Sequence, residues 1–380
     1  MVPANRYYIG LMSGTSLDGL DAVIVDFDEQ PVRLLASASR PIPEALKRSL
    51  LTLTQPGDNE IEQLGRADIQ LSRLQAQLVN DLLAQSNLTP AQITAIGSHG
   101  QTIRHRPSGD TPFSLQIGDP NTLAELTGIT VAADFRRRDL AAGGQGAPLV
   151  PAFHADLFRI RSANRVILNI GGMANITLLL KNSNAPIIGF DTGPGNILID
   201  SWIYRHQQQG FDLSGAWGRS GRIDAQLLNR LLEHEFFEQA PPKSTGREQF
   251  NLSWIDQQLS ALGHPIAHAD VQATLTELTA RSIAEAILNQ NIDDAEVYVC
   301  GGGAHNDYLL ERLERHLGKL SLTTTDTLGL PADWVEACAF AWLAKRCLSQ
   351  LSGNLPSVTG ARGERILGGI YLGGSPKLNR

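Results

Sequence analysis

The sequence lacks the features of several classes of protein. No run of eighteen apolar residues, the length that crosses a bilayer as a helix, occurs in its 380 residues. Residues 1–6 lead directly into an alternating strand pattern, without the apolar segment and cleavage site of a secretory signal. These absences predict a cytoplasmic protein that does not bind membranes.

Cysteine and clustered positive charge are also scarce. The spacing of the three cysteines matches neither a zinc site nor a disulfide framework, which predicts free buried thiols. The net charge is −7, whereas a nucleic-acid surface needs clustered Lys and Arg, so we expect no nucleic-acid partner. The one basic run, residues 136–138, is flanked by acids, and either a solvated face or an anion contact explains it.

The length and the order of the predicted elements indicate two α/β lobes. A chain of 380 residues is long for one domain, and each of two lobes can bury its own core. Strands alternate with helices, which predicts a mixed β-sheet flanked by helices in each lobe. A glycine-turned hairpin opens each half, at residues 7–27 and 165–180, which suggests a duplication. We expect an N-terminal lobe of residues 1–140 plus 355–380 and a C-terminal lobe of residues 141–354.

Several individual elements can be predicted from local pattern. Apolar residues at helical spacing predict a helix over about residues 60–85, and a short strand follows at 94–97. The sequence Thr274-Leu275-Thr276-Glu277 predicts a capping box at a helix start. A strand is predicted at 296–300 and a helix at 307–317.

Three glycine turns are candidates for binding a nucleotide. Glycine turns give phosphate groups close access to backbone N–H donors. The turn at residues 14–21 lacks the Gly-Lys-Ser/Thr ending of a P-loop and precedes a strand, so it is not a dinucleotide fingerprint either. Its hydroxyls can contact phosphate, and its carboxylates Asp18 and Asp21 can hold Mg²⁺ through water. The second turn is at 171–175.

The third turn, residues 301–306, ends a strand and opens a helix. Three consecutive glycines there allow adenine to lie against bare backbone, although a tight strand-to-helix turn is the alternative. The predicted ATP-binding residues of the three turns are Gly14, Thr15, Ser16, Leu17, Asp18, Gly19, Leu20, Asp21, Gly171, Gly172, Asn175, Gly301, Gly302, Gly303 and Asn306.

Asp191 follows an apolar strand and precedes a turn, which predicts a carboxylate that projects into a cleft. The alternative interpretation is an Asp that caps the helix beginning near Gly195 or binds the turn amides.

Taken together, the order of these segments resembles the superfamily of sugar kinases, actin and heat-shock chaperones. Within it, five segments are similar to the anhydro-N-acetylmuramic acid kinases: Met12–Asp21, Ser98–Thr102, Asn169–Gly172, Phe190–Asn196 and Gly301–Asn306. The resemblance extends over about residues 7–373. It implies a two-lobed actin-like or hexokinase-like ATPase fold with the active site in the interlobe cleft, and a homodimer.

The resemblance also implies the reaction. The substrate is a 1,6-anhydro sugar of the bacterial cell wall, ATP and Mg²⁺ are the cofactors, and O6 is phosphorylated while water opens the bridge. Asp191 matches the family's catalytic base. Polar candidates for holding the sugar, in or near the matched segments, are His99, Gln101, Asp119, Arg136 and Glu336. For Glu336 the alternative is the N3 position of a helix capped by Asp333.

Two other functions fit part of the same pattern. An ordinary sugar kinase would use Asp191 to deprotonate a substrate hydroxyl and would consume no water. An ATP-driven filament or chaperone protein would hydrolyse ATP without sugar, but the sequence shows no long peptide-binding domain after residue 373. We therefore expect a kinase of peptidoglycan recycling.

Overall fold

The computed structural model describes residues 6–14, 17, 19–29, 31–182, 184–292 and 294–374. The chain forms two compact units, the first of residues 1–153 with 334–380 and the second of residues 154–333. The boundaries predicted from the sequence, after residues 140 and 354, stay a prediction.

The strands described are β1 (Tyr7–Ser13), β2 (Gly19–Asp26), β3 (Arg33–Pro41), β4 (Ile93–Ser98), β5 (Gln101–Arg106), β6 (Phe113–Ile117), β7 (Val131–Ala133), β8 (Asn164–Ile170), β9 (Met173–Leu179), β10 (Ile188–Pro194), β11 (Ala295–Cys300), β12 (Ser321–Thr324) and β13 (Gly369–Tyr371). The α-helices described are α1 (Glu44–Leu53), α2 (Glu60–Gln85), α3 (Pro120–Thr127), α4 (Arg137–Ala141), α5 (Val150–Phe158), α6 (Ile197–Gln207), α7 (Ala216–Ser220), α8 (Ala225–Leu232), α9 (Glu235–Glu238), α10 (Leu252–Ser260), α11 (His268–Leu288), α12 (Asp307–Leu317), α13 (Val335–Leu348) and α14 (Pro356–Thr359). The helix predicted at 307–317 is confirmed.

The two large sheets repeat one strand order. The first unit has the order β13-β7-β4-β1-β2-β3, and the second has β10-β9-β8-β11-β12. In both, an antiparallel meander of three strands is extended by two parallel strands beside its first strand, and in the first sheet β13 adds an antiparallel edge strand next to β7. The prediction of an α/β fold with a mixed sheet in each half is confirmed. The shared order is what a duplication would produce.

The first unit buries one face of its sheet under α1 and α2. Leu20, Ala22 and Ile24 alternate along β2 and belong to one core cluster, because successive side chains of a strand point to opposite faces. Leu71 and Leu78 of α2 join the same cluster. The helix predicted at 60–85 is confirmed as α2. Its apolar face packs on the sheet, as the helical spacing of the apolar residues requires.

Helix α13 packs on β1, β2, β4 and β7 of the same sheet at unusually close range. Gly10 and Gly97 are opposite each other on β1 and β4. A Cβ atom on Gly10 would lie 1.8 Å from the carbonyl oxygen of Ala337, and one on Gly97 would lie 1.9 Å from that of Phe340. The two glycines therefore allow the helix backbone to lie directly on the strand backbones.

We expect Gly97→Ala to lower the free energy of unfolding by about 1–3 kcal/mol, because an added methyl group forces α13 away from the sheet. Urea unfolding measures the loss. The matched control is Gly65→Ala in α2, where no atom lies within 4 Å of an added Cβ. That change should stabilise by up to about 1 kcal/mol through helix propensity. Equal urea midpoints for Gly97→Ala and the wild type would contradict the close packing.

The second unit is organised around α11, most of which is buried. The predicted capping box at Thr274 is wrong, because α11 begins at His268 and Thr274 lies inside it. Thr274 Oγ1 donates to the carbonyl of Asp270, 2.7 Å away, and accepts from the amide of Asp224 at 2.9 Å. A threonine hydroxyl can thus form its hydrogen bonds inside a helix as well as at a helix N-cap. The local sequence pattern does not reveal which of these two roles a threonine has.

A buried ion cluster joins α11 to α12. The Glu277 side chain is 5% exposed and accepts from Arg312 Nε at 2.6 Å and from His316 Nε2 at 2.7 Å. Burial alone would raise the pKa of Glu277, but the hydrogen bonds from Arg312 and His316 outweigh it and lower the pKa. The carboxylate therefore stays ionised in the interior.

The structure also bears on the predictions about cysteines and about membrane-spanning segments. Cys300, Cys338 and Cys347 are buried and none of them is in a disulfide within the described residues, as predicted. Within the described ranges no helix is both long enough and apolar enough to cross a membrane.

Candidate active site

Asp191 lies inside β10, which continues to Pro194 and bulges between Asp191 and Gly193. The alternative that Asp191 caps a helix is wrong, since α6 begins at Ile197 with Asn196 at its N-cap position. Asp191 Oδ2 instead accepts a hydrogen bond from the amide of Thr245 at 3.0 Å. The residue's own amide donates to the carbonyl of Lys243 at 3.1 Å. The carboxylate is held by a separate loop.

The environment of Asp191 makes it a stronger base than an ordinary aspartate. Burial raises its pKa to about 6, the Thr245 amide opposes this rise, and the negative charge of Glu248 adds to it. The residue keeps a partly exposed surface. A carboxylate with a pKa near 6 is ionised at neutral pH and accepts a proton more readily than one at the usual value.

The turn between β8 and β9 is tied to the start of α6. The Gly171 carbonyl accepts from the Asn196 amide at 2.8 Å, and the Gly172 carbonyl accepts from the amides of Gly195 and Ile197 at 2.9 and 3.1 Å. An added Cβ on Gly172 would meet nothing within 4 Å. The hairpin is therefore fixed in place with one side open for a ligand.

Three polar residues form a row across the sheet of the second unit. Asn169 of β8 is opposite Asn175 of β9, which is opposite Asp191 of β10. Residues directly opposite one another project from the same face of a sheet. Asn175 and Asp191 are site residues predicted from the sequence, whereas Asn169 is part of a matched segment but was not predicted as a site residue. The signal that could have found it is a polar residue near the end of an otherwise apolar strand.

The third glycine turn packs against the end of β8. Gly301 has φ +81°, and an added Cβ would lie 2.4 Å from Asn169 Oδ1. An added Cβ on Gly303 would lie 2.3 Å from Ile170 Cγ2, whereas Gly302 meets only Asn196 Nδ2 at 3.9 Å. Gly301 and Gly303 are therefore glycines because a side chain at either position would clash with its neighbours. Of the three, only Gly302 offers open backbone of the kind that adenine needs.

The residues after this turn start a helix. Asn306 Oδ1 caps α12 by accepting from the Leu309 amide at 3.0 Å. His305 Nε2 lies 2.7 Å from Asp333 Oδ1. The predicted capping of the next helix by Asp333 is wrong, because α13 begins at Val335 with Trp334 at its N-cap position.

The first glycine turn is described in part. Thr15, Ser16 and Asp18 lie outside the described residues. Leu17 has φ 59° and a buried side chain, and Leu20 is buried in the core, so both side chains anchor the turn. Gly14 accepts from the Leu17 amide at 3.3 Å, and Gly19 begins β2.

Asp21 is the one predicted metal ligand that can be placed. The residue is partly exposed, and its carboxylate accepts a hydrogen bond from the Ser39 hydroxyl on the neighbouring strand. Among the residues with described positions, no three His, Cys, Asp or Glu side chains converge as a metal-binding group. A site formed by one carboxylate and several waters, as Mg²⁺ prefers, does not require such a group.

His99, Arg136 and Glu336 are brought together in the first unit. Arg136 Nη2 lies 2.8 Å from His99 Nε2, and Arg136 Nη1 donates to the Gly146 carbonyl at 2.9 Å. Burial, followed by the charge of Arg136, lowers the pKa of His99 to about 3. Burial also lowers the pKa of Arg136 to about 10, against the opposing charge of Glu336. At neutral pH His99 is therefore neutral and accepts through Nε2, while Arg136 is charged.

The arginine run divides according to burial. Arg137 and Arg138 are exposed, whereas Arg136 is half-buried and turned towards His99. Its position depends on Asp139, which is not among the site residues predicted from the sequence. The fully buried Asp139 carboxylate accepts from the Gly146 amide at 2.8 Å and from Thr359 Oγ1 at 2.8 Å. Asp139 thus holds the glycine-rich loop whose carbonyl orients Arg136.

The last two sugar candidates have structural hydrogen bonds. Gln101 Oε1 accepts from the Ser13 hydroxyl at the end of β1. Asp119 caps α3, with Thr122 N at 2.8 Å and Thr122 Oγ1 at 2.6 Å. Burial would raise the pKa of Asp119, but these bonds and those from Asn121 outweigh it and lower the pKa. The capping role accounts for Asp119 without a ligand.

Comparison with known proteins shows one family. The family model of anhydro-N-acetylmuramic acid kinase matches residues 6–373. A protein of that name from Shewanella amazonensis is 55% identical over 364 residues, covering 96% of this chain and 98% of the relative. One from Coxiella burnetii is 51% identical over 372 residues, covering 98% and 99%.

Solved structures that resemble the chain are more distant. A ROK family glucokinase from Streptomyces griseus, in complex with glucose and AMPPNP, is 13% identical with a TM-score of 0.38, covering 90% of this chain and 99% of that one. The activator of the 2-hydroxyisocaproyl-CoA dehydratase from Clostridium difficile, with bound ADPNP, is 12% identical with a TM-score of 0.46, covering 91% and 98%.

Proposed function

Because this chain belongs to the anhydro-N-acetylmuramic acid kinase family, we propose that it phosphorylates O6 of 1,6-anhydro-N-acetylmuramic acid while water opens the anhydro bridge. The oxygen of water bonds to C1 and the C1–O6 bond breaks. O6 then bonds to the γ-phosphorus of ATP, and the bond from that phosphorus to the oxygen bridging it to the β-phosphate breaks, so that ADP leaves. The products are N-acetylmuramic acid 6-phosphate and ADP.

Asp191 carries the proposal as the general base that takes the proton from the attacking water. Its pKa of about 6 leaves it ionised at pH 7, and the residue as a whole keeps a partly exposed surface. The Thr245 amide fixes one carboxylate oxygen at 3.0 Å, so that the other oxygen is oriented for the water. A carboxylate held in one orientation in this way supports a general base that takes a proton from a water in one fixed place.

The glycine turns at 14–21, 171–175 and 301–306 would bind ATP. The open side of Gly172 supports close approach of a phosphate, and the open side of Gly302 supports contact with adenine. Asp18 and Asp21 would hold Mg²⁺ through water, which fits the partial exposure of Asp21. When bound, the ion would neutralise charge on the transferring phosphoryl group.

Arg136 would bind the lactyl carboxylate of the sugar. Its Nε is buried and makes no hydrogen bond to any described residue, so one donor edge remains for a ligand. A guanidinium and a carboxylate can form two parallel hydrogen bonds. His99, Gln101 and Glu336 would contact the hydroxyl and N-acetyl groups nearby, and Asp119 stays a candidate. A homodimer and a cytoplasmic location also stay predictions.

The test is consumption of ATP with Mg²⁺, with and without 1,6-anhydro-N-acetylmuramic acid, in ¹⁸O-labelled water. We expect ATP use to require the sugar and the product to carry one phosphate and one labelled oxygen at C1. A phosphorylated product without the label would identify an ordinary kinase. ATP use that the sugar does not change would reject this substrate.

A further inference from the structure

Asn169 has a buried hydrogen-bond acceptor that the protein does not satisfy. The residue is 8% exposed, and its Oδ1 has no hydrogen-bond partner among the described residues. Leaving a buried acceptor unpaired is costly, and most such groups in folded proteins have a partner. A bound ligand that donates a hydrogen bond would remove this cost.

The surroundings of Oδ1 are parts of the proposed nucleotide site. Asn169 comes just before the Gly171-Gly172 turn and is opposite Asn175. On its other side, Gly301 leaves room for the carboxamide, because a Cβ there would lie 2.4 Å from Oδ1. Two of the three glycine turns thus meet at this one side chain.

The chemistry of an acceptor restricts what can bind it. Phosphate and carboxylate oxygens are themselves acceptors, so the partner must be an O–H or N–H donor. Adjacent strands are about 4.8 Å apart, which places Asn169 about 10 Å across the row from Asp191. That separation is too large for the two residues to share one water molecule, and Asn169 is the member of the row that lies against Gly301 of the third glycine turn.

We propose that Asn169 Oδ1 accepts a hydrogen bond from an O–H group of the bound magnesium nucleotide, either a ribose hydroxyl or a water on the metal ion. This inference rests on the proposed function. It adds a nucleotide-binding residue in the row that contains Asn175 and Asp191.

Strand β8 contains a natural comparison. Asn164, at the opposite end of the strand, is also 8% exposed. Its Nδ2 donates to Asp294 Oδ1 at 2.6 Å, and its Oδ1 accepts from the Lys181 amide at 3.0 Å. The same residue type with the same burial is therefore satisfied by the protein at one end of the strand and unsatisfied at the other.

The experiment compares thermal unfolding, with and without magnesium AMP-PNP, and the KM for ATP. For Asn169→Leu we expect a ligand-free Tm equal to or above the wild type, since an unpaired acceptor is removed. We expect its nucleotide-induced Tm rise to shrink and its KM for ATP to increase about tenfold, as for one lost hydrogen bond. Asn169→Ala should show the same nucleotide effects if leucine does not fit.

The control, Asn164→Ala, should give the opposite result. Because it breaks two satisfied hydrogen bonds, its ligand-free Tm should fall while the nucleotide-induced rise and the KM for ATP stay at wild-type values. A purely structural role for Asn169 predicts this same pattern for Asn169→Ala. Wild-type KM and Tm rise in both Asn169 variants would overturn the proposal.

Further measurements identify the hydrogen-bond donor and separate a failure of the Asn169 proposal from a failure of the proposed function. If the donor is a ribose hydroxyl, either 2′-deoxy-ATP or 3′-deoxy-ATP will bind the wild type and Asn169→Leu equally. If it is a water on the ion, the two proteins will bind metal-free ATP equally. A wild-type protein that is neither stabilised by magnesium AMP-PNP nor able to use ATP would overturn the proposed function itself, and the Asn169 role with it.

Discussion

Asp191→Asn is expected to lower kcat by a factor of about 10² to 10⁴, the usual contribution of a general base. The amide keeps the size of the side chain but cannot take a proton from water. The KM for ATP should change little, because the nucleotide is assigned to the glycine turns. Initial rates at saturating sugar and ATP measure the effect, and a kcat near that of the wild type would exclude Asp191 as the base.

The pH dependence provides a second test of Asp191. Activity should rise with pH through a pKa of about 6, as the carboxylate ionises. Glu248→Gln removes a negative charge that raises this pKa, so the rise should move to lower pH. This variant keeps the base and serves as the matched control. An unchanged pH profile in Glu248→Gln would contradict the assignment of the rise to Asp191.

The same pKa determines how Asp191→Asn changes stability. The folded-state pKa of Asp191 lies above its ordinary value, so the folded protein binds its proton more tightly than the unfolded chain. That contribution is present at acidic pH and is lost as the pH rises through about 6. The Asn variant avoids the loss and should be at least as stable as the wild type at pH 8. If the variant is as stable as the wild type at pH 8, a loss of activity at that pH is not caused by unfolding.

Arg312→Ala is expected to give the largest loss of stability, about 3–5 kcal/mol, because it leaves the Glu277 carboxylate buried without its main partner. The Glu277 side chain is 5% exposed and that of Arg312 is 17% exposed, so water cannot replace the guanidinium fully. Chemical denaturation monitored by circular dichroism gives the free energy of unfolding. The contact between α11 and α12 should be the first part of the second unit to lose protection in hydrogen exchange.

Two further variants separate this cluster from ordinary ion pairs. Arg281→Ala removes an exposed pair with Glu285 on the same helix α11 and should cost only about 0.3–0.5 kcal/mol. Adding Glu277→Gln to Arg312→Ala should recover part of the loss, since it removes the unpaired charge. A double variant less stable than Arg312→Ala alone would contradict the buried-charge explanation.

Acid should weaken the same cluster. The pKa of Glu277 is lowered in the folded protein, so its contribution to stability is present above the ordinary value for glutamate and is lost as the pH falls through the folded-state value. The Arg312→Ala variant lacks the part of this contribution that comes from Arg312 and keeps only the part from His316. The stability difference between wild type and variant should therefore narrow below about pH 4.

The sequence by itself determined the elements and motifs that depend on near neighbours along the chain. Helix α2 could be predicted from apolar spacing and α12 from the residues that follow the third glycine turn. The repeated hairpin in each half indicated the mixed sheets, and five motif segments pointed to the family. Such patterns are readable because helical and strand periodicities are local properties of the chain.

Only the tertiary structure decided which distant residues meet. The row of Asn169, Asn175 and Asp191 depends on the register of three strands, and a shift of one residue would turn a strand's side chains to the opposite face. The need for glycine at Gly10 and Gly97 arises from a helix more than 200 residues further along the chain.

The capping pattern at Thr274 failed for a related reason. The sequence around Thr274 is compatible with a helix start and with a helix interior. In the structure the helix begins earlier, at His268, so Thr274 is in its interior. Sequence periodicity therefore specified what each segment is, whereas strand register and close packing specified what each side chain touches, because those contacts join residues that the chain itself keeps apart.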